Sequence, residues 1–195
     1  MSQTEMNQRQ IHKVLRQFAF GGLITSDFQV TYIPFIMPNE ATVELHLAKT
    51  NPQLLALSDE RVMLTVLGPH TYVSSFDYQT QPQVPTWNYV AIKIIGQSHL
   101  LNEDETEHSI DRMIQYFEPR LGNEPLLLPK QYKKNLLKHI RGVRVEIESM
   151  QGKAKLGLHK SEADQAEVLK HQEQKGNHAY VTFVNEWLAG KVKTR

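Results

Sequence analysis

At 195 residues, 40% of them hydrophobic and 22% charged, the chain can bury a substantial core as one domain and is too apolar to be disordered. Twenty-two Lys and Arg against twenty-one Asp and Glu leave a net charge of +1, so no global field points to nucleic acid or to an anionic membrane as partner. The absence of cysteine excludes disulfides, thiolate metal sites and cysteine nucleophiles, and it fits a reducing compartment.

The N-terminal "MSQTEMNQRQIHKVLRQF" is polar and lacks the apolar core of a signal peptide. No run approaches the roughly 18 apolar residues of a membrane span. A cytoplasmic protein without membrane contact is expected. Met6 to Phe18 places Ile11, Val14, Leu15 and Phe18 at helical spacing. "FAFGGLITS" reads as a strand, and "FQVTYIPFIMP" as a second, in which Pro34 predicts an edge or a bulge. "ATVELHLAKT" alternates Val43, Leu45 and Leu47 with polar residues, the pattern of a half-buried strand. Asn51 as N-cap and Pro52 at the first helical position predict a short helix over "NPQLLALS".

"RVMLTVLG" is nearly continuous in apolar residues and predicts a strand covered on both faces. A long loop with Pro69, Pro82 and Pro85 is then expected before the strand "WNYVAIKIIGQSHLL", where Gly96 predicts a bulge or bend. "EDETEHSIDRMIQYFE" and "KQYKKNLLKHI" read as amphipathic helices separated by the breaker-rich "PRLGNEPLLLP". "RGVRVEIESMQGKAKLGL" returns to strand alternation. "SEADQAEVLKHQEQ" opens with Ser161 and Asp164 in a capping-box pattern, and "AYVTFVNEWLAGK" reads as a last helix. Five or six strands with short links predict a small antiparallel barrel, mainly β with added peripheral helices, in a single domain over residues 1–195.

Three stretches could bind a ligand. At the strand-to-helix junction "HLAKTNPQ", Lys49, Thr50 and Asn51 would set a cation, a hydroxyl and unpaired N–H groups around a phosphate; alternatively Asn51 only caps a helix. In the aromatic stretch from Gly68 to Gly96, Tyr72, Trp87 and Tyr89 could face a flat heterocycle, with His70, Ser74 and Asn88 supplying hydrogen bonds. The same side chains could equally line a seam between two subunits. In "QGKAKLGLHK", Lys153 and Lys155 share one strand face and suit an anionic ligand, if they are more than solvated lysines. The nine histidines show no metal-ligand spacing, so no metal site is assigned. No nucleophile or acid–base pair stands out, so catalytic residues are not assigned and enzyme activity stays open.

"HLAKTNPQ", "GPHTYVS", "VPTWNYVAIKIIG" and "GVRVEIESMQGKAKL…SEADQAEV", in that order, resemble the PaiB-type family of FMN-binding negative transcriptional regulators, over roughly Phe20 to Leu169. The resemblance implies an FMN-binding split β-barrel, usually a homodimer with flavin sites in clefts between subunits. It implies that Lys49, Thr50 and Asn51 hold the FMN phosphate, and that His70, Tyr72, Ser74, Trp87 and Asn88 lie near the flavin ring or the dimer seam.

Departures from the family pattern are specific. The opening Met-Tyr-x-Pro is absent, Thr31-Tyr32-Ile33-Pro34 replaces a Thr-His pair before Leu-Pro, and Ser75-Phe76-Asp77-Tyr78 lacks the usual Pro and Trp. Gly157-Leu158-His159 stands where Ser-Gln-Asn is usual, and the lost amides predict weakened or lost FMN affinity if they contact the cofactor. Direct DNA contact is not expected, because neither charge nor a helix-turn-helix supports it. The competing readings are a flavin-dependent reductase or oxidase, a haem-binding or haem-degrading split barrel using His46, His70 or His159, and a barrel that works through protein contacts alone.

Overall fold

The computed structural model describes residues 4–124 and 126–190. The first three residues of the polar N-terminus, Pro125 in the breaker-rich segment and Lys191 at the end of the last predicted helix lie outside the described residues. Among the described residues there are six strands: β1 (Phe20–Ile24), β2 (Val30–Asn39), β3 (Thr42–Ala48), β4 (Arg61–Val73), β5 (Thr86–Leu100) and β6 (Ile140–Lys155). They close a barrel in the order β1-β2-β3-β6-β5-β4. β1 runs antiparallel to β2, from Phe20 opposite Pro34 to Ile24 opposite Val30, and closes the barrel against β4 through Gly22 opposite Thr65. β3 pairs antiparallel with β6, from Thr42 opposite Glu146 to Ala48 opposite Ile140. The described residues also form the helices α1 (Gln8–Gln17), α2 (Glu103–Phe117), α3 (Lys130–Leu137), α4 (Glu162–Gln174) and α5 (His178–Leu188). Among the described residues, no helix is long and apolar enough to cross a membrane.

The chain divides into two compact units, and β4, β5 and β6 each run from one into the other. The first holds the chain up to Phe18, Val66–Ile92 and the chain from Gln151 onward; the second holds Ala19–Thr65 and Lys93–Met150. In the first unit, Asn7 caps α1 with a reciprocal Gln10 bond, which satisfies two N–H groups at the helix start. The buried stripe Ile11, Val14 and Leu15 follows from the 3.6-residue period. Met6 N donates to Gly152 O at 3.0 Å, and any side chain at Gly152 would run into Ile11 and Met6, so glycine lets α1 sit against β6. In the second unit, Leu23, Phe35, Val43, Leu45, Leu64 and Val143 are essentially inaccessible. Their alternation along paired strands puts one set of side chains inside the barrel.

Four sequence expectations are corrected. Pro34 is not at an edge: it stands in the β1–β2 ladder of a closed barrel, and the register shift falls later, between Ile36 and Asn39. The stretch 61–68 is not covered on both faces. Val62, Leu64 and Val66 are buried while Leu67 is exposed, because a barrel strand turns one face to the core. β4 also continues through Pro69 to Val73, so the connection to β5 is only residues 74–85. Burial alternates without interruption through Gly96, which is therefore no bulge. A Cβ there would lie 2.1 Å from the Glu146 carbonyl oxygen, so the position requires glycine because the backbones approach too closely for a side chain.

Candidate ligand site

The outward face of the first unit gathers the aromatic residues. The inside–outside phase of β4 changes at Gly68–Pro69, after which Thr71 and Val73 point inward and His70 and Tyr72 outward. Trp87 on β5 is also outward. It is 55% exposed and Tyr72 47% exposed. Their ring centroids lie 6.0 Å apart edge-on, and the His70 ring lies 6.1 Å from Trp87. His70 Nδ1 is 3.1 Å from the Gly68 carbonyl. Lys155 holds the platform from β6: its Nζ donates to the Trp87 carbonyl at 2.9 Å and to Thr86 Oγ1. Lys153, two residues earlier on the same strand face, has its Nζ 5.9 Å above the Tyr89 ring and makes no ion pair among the described residues. Trp87 and Tyr72 thus present open ring faces next to a free cation.

Two side chains expected at this site are engaged elsewhere. Ser74 Oγ accepts from Phe76 N at 3.3 Å and caps the turn Ser75–Asp77. Asn88 is buried and donates through Nδ2 to the Tyr180 hydroxyl at 2.9 Å. Burial pushes the Tyr180 phenol up to about 12, although the Asn88 bond pulls the other way. A void of about 10 Å³ beside this pair, lined by Tyr78, Leu156, Leu158 and Val168, has room for about one water. Gly157, in the stretch that departs from the family pattern, takes φ +77°, a left-handed conformation that favours glycine, and His159 is exposed.

The connection after β4 is fastened by α4 and by the turn that follows it. Ser161 Oγ accepts from Asp164 N, but the Asp164 carboxylate turns away from a capping box and accepts from Thr80 N at 2.9 Å and Thr80 Oγ1 at 2.8 Å. Those two bonds hold its carboxyl below the usual carboxylate range. Gln172, fully buried, accepts from Thr71 Oγ1 and Asn177 Nδ2 and donates to the Tyr72 carbonyl and Asp77 Oδ2. Lys175 Nζ reaches both oxygens of the buried Asp77 at 2.7 Å. Nothing in the local sequence signals this network, since its partners stand about a hundred positions apart.

Lys49, Thr50 and Asn51 belong to the second unit. Pro52–Leu55 is a single 3₁₀ turn, not an α-helix. Asn51 Oδ1 accepts from Gln53 N at 2.9 Å, and its Nδ2 donates to Thr31 Oγ1 at 3.0 Å. The N–H that was to meet a phosphate is therefore already satisfied, and the Asn51 amide is committed to the fold. Lys49 and Thr50 are exposed. Lys49 lines a cleft of about 360 Å³ together with Lys134 of α3, Lys138 just past its end, Arg141 of β6, and Glu103, Asp104 and Glu107 of α2. Reading α3 only as an amphipathic helix missed these cations; the density of basic residues in "KQYKKNLLKHIR" was the available signal. His46, on β3, has a buried Nδ1 without a partner among the described residues, and burial lowers its pKa, so the ring is neutral at neutral pH.

A closed six-stranded barrel of this topology with flanking helices defines the flavin-binding split-barrel class. Solved structures share it: the FAD and haem binding protein of Mycobacterium smegmatis (TM-score 0.62, 15% identity, 78% of this chain and 74% of that one) and the flavocytochrome Anf3 of Azotobacter vinelandii (TM-score 0.57, 15% identity, 82% and 73%). The chain belongs to the family described as "Putative FMN-binding domain", which matches residues 2–149. It is 29% identical over 181 residues to the protease synthase and sporulation protein PAI 2 of Bacillus subtilis (strain 168), covering 88% of this chain and 86% of that protein. An uncharacterised protein of Emericella nidulans is 26% identical over 201 residues, covering 80% of each. The family resemblance expected from the motifs is borne out, and α4 and α5 lie beyond the segment that the family match covers.

Proposed function

We propose that this chain is a cytoplasmic, homodimeric FMN-binding protein that acts as a negative regulator of the PaiB type without reading DNA directly. The observation that carries the flavin reading is the outward platform of Trp87, Tyr72 and His70, held in place by Lys155 beside the unpaired Lys153. A flat heterocycle stacks on open ring faces, and an anionic tail meets a free ammonium, so the residues present fit a phosphorylated flavin. FMN, when bound, would supply reversible two-electron chemistry or a ligand-sensing state. The chain's own part is to hold the ring on Trp87 and Tyr72, with Lys155 fixing the Trp87 backbone. The PAI 2 relative favours the regulatory role. The mixed face of α4, with Glu162, Glu167 and Glu173 beside Lys170 and His171, does not suit a phosphate backbone and argues against a DNA-reading helix.

Titration of the flavin-free protein with FMN, followed by quenching of flavin fluorescence, tests this reading. Wild-type protein should bind. Trp87→Ala should weaken binding about fivefold to tenfold, since an aromatic stacking partner contributes about 1 kcal/mol. Equal affinity of Trp87→Ala and wild type would remove the platform from the flavin site. No binding by wild type would overturn the flavin reading.

A further inference from the structure

We propose that His70 is the specificity-determining residue of the aromatic platform: its Nε2 accepts a hydrogen bond from an N–H on the edge of the stacked heterocycle, the ring imide N–H in the case of a flavin. This role rests on the flavin reading of the platform and fixes the polarity of one contact on it. His70 Nδ1 lies 3.1 Å from the Gly68 carbonyl oxygen. A carbonyl has no proton to give, so that bond exists only if Nδ1 carries the hydrogen. A neutral imidazole with its proton on Nδ1 presents a lone pair at Nε2. Among the described residues nothing pairs with that nitrogen, and the side chain is exposed.

The anchor that sets this tautomer is rigid. Gly68 is buried on β4, and a Cβ there would come within 3.2 Å of Val90 on β5, so the backbone that carries the carbonyl is packed in place. Pro69, between the two residues, locks its own φ and limits how His70 can turn away. The His70 ring is tilted by 34° to Trp87 at 6.1 Å and borders the face on which a flat ring would rest. The other side chains there have the opposite character. Lys153, Lys155 and the Trp87 indole N–H only donate, and the Tyr72 and Tyr89 hydroxyls can turn to do either. Thr86 Oγ1 is taken by Lys155, Ser74 caps its turn and Asn88 is bonded to Tyr180. Among the described side chains of the platform, His70 Nε2 is thus the fixed acceptor. Once a ring covers it, the lone pair loses its water, and a ring edge without an N–H leaves it unpaired, which is how such a contact rejects the wrong ligand.

Two measurements test this. In ligand-free protein in mildly alkaline buffer, ¹⁵N correlation spectra of the histidine rings should show His70 protonated on Nδ1, and added FMN should shift its Nε2 resonance in the direction of a nitrogen that accepts a hydrogen bond. FMN and its analogue methylated on the ring imide nitrogen are then titrated, by flavin fluorescence, into wild type, His70→Phe and His70→Gln. Wild type should hold FMN about fivefold to tenfold more tightly than the methylated analogue, the worth of one hydrogen bond. His70→Phe keeps a flat ring without the lone pair, so it should bind FMN more weakly and lose the preference. His70→Gln, whose side-chain carbonyl accepts, should regain part of it. A purely structural role for His70 would weaken both ligands equally and leave their ratio as in wild type. That result, equal binding of the two flavins by wild type, or a proton found on Nε2 would overturn the proposal and leave the flavin reading intact. A preference that survives in His70→Phe would also overturn it, because the methyl group would then be rejected by shape alone. Absence of FMN binding in wild type would overturn the flavin reading and this role with it.

Discussion

Glu44 stands on β3 between the inaccessible Val43 and Leu45 and is itself only 2% exposed. Arg112 of α2 donates to Glu44 Oε2 at 2.6 Å, and Arg144 of β6 donates to Oε1 at 3.1 Å. Burial alone would raise its pKa; the bonds from the two guanidinium groups outweigh it and hold the carboxyl below its ordinary value of 4.5. A depressed folded-state pKa contributes stability that is present above 4.5 and is lost as pH falls through the lower folded value. Glu44→Gln should therefore cost about 2 kcal/mol at pH 7, because two partly buried guanidinium groups lose their counter-charge. Urea unfolding at a series of pH values checks this: the gap between wild type and variant should narrow steadily below pH 4.5, and a constant gap would show that the charge is not responsible. Gly96 gives a second test. Gly96→Ala puts a carbon against the Glu146 carbonyl and should cost about 3 kcal/mol or prevent folding, whereas Gly122→Ala, with nothing within 4 Å, should leave the melting temperature almost unchanged. Neither residue disclosed its role in the sequence. The alternation of β3 marked Glu44 as outward-facing, and its partners lie 68 and 100 positions away.

Elements were more legible than contacts. Period-two alternation located β3 and β6, helical spacing located α1, and the capping residue Ser161 stands where α4 begins, because those signals act within a few residues. The extent of β4 was hidden. Gly68, Pro69 and His70 look like loop material, and only closure of the barrel keeps the chain extended to Val73. The fastening of the 74–85 connection to α4 was hidden for a different reason: Gln172 and Lys175 look like ordinary helix-surface residues until Thr71 and Asp77 are folded against them. Gln172 makes four hydrogen bonds with no access to water, so each of its amide atoms is satisfied. Gln172→Leu keeps the bulk but leaves Asp77, Thr71 and Asn177 short of partners, and should cost about 2–3 kcal/mol. Amide hydrogen exchange should rise at residues 74–80 before it rises in β5. Uniform exchange across both segments would mean that α4 stabilises the unit as a whole and does not fasten this connection.

At the scale of the molecule, the exposed apolar residues are the feature that a lone chain does not explain. The first unit exposes Leu67, Tyr72, Phe76, Val84 and Trp87, and the second exposes Phe20, Phe28, Val30, Tyr32 and Leu55. Large side chains exposed in groups, unlike scattered single ones, mark surfaces that another molecule covers. For a homodimer, light scattering should give about 45 kDa, twice the 22.5 kDa of one chain, and Leu67→Glu, a charge in an apolar seam away from the ring platform, should shift the mass toward 22.5 kDa. Trp87 can report on its own surroundings once Trp187 is replaced by Phe. If the platform binds flavin, its emission should be quenched in step with FMN and should not change on dilution of the ligand-free protein. If the platform is the seam, its emission should move to longer wavelength as dilution separates the subunits, with or without flavin. We expect the first behaviour, because Lys155 fixes the Trp87 backbone and Lys153 stands free beside the same face, and an unpaired ammonium at the centre of an apolar seam would be buried without a partner at a cost of several kcal/mol.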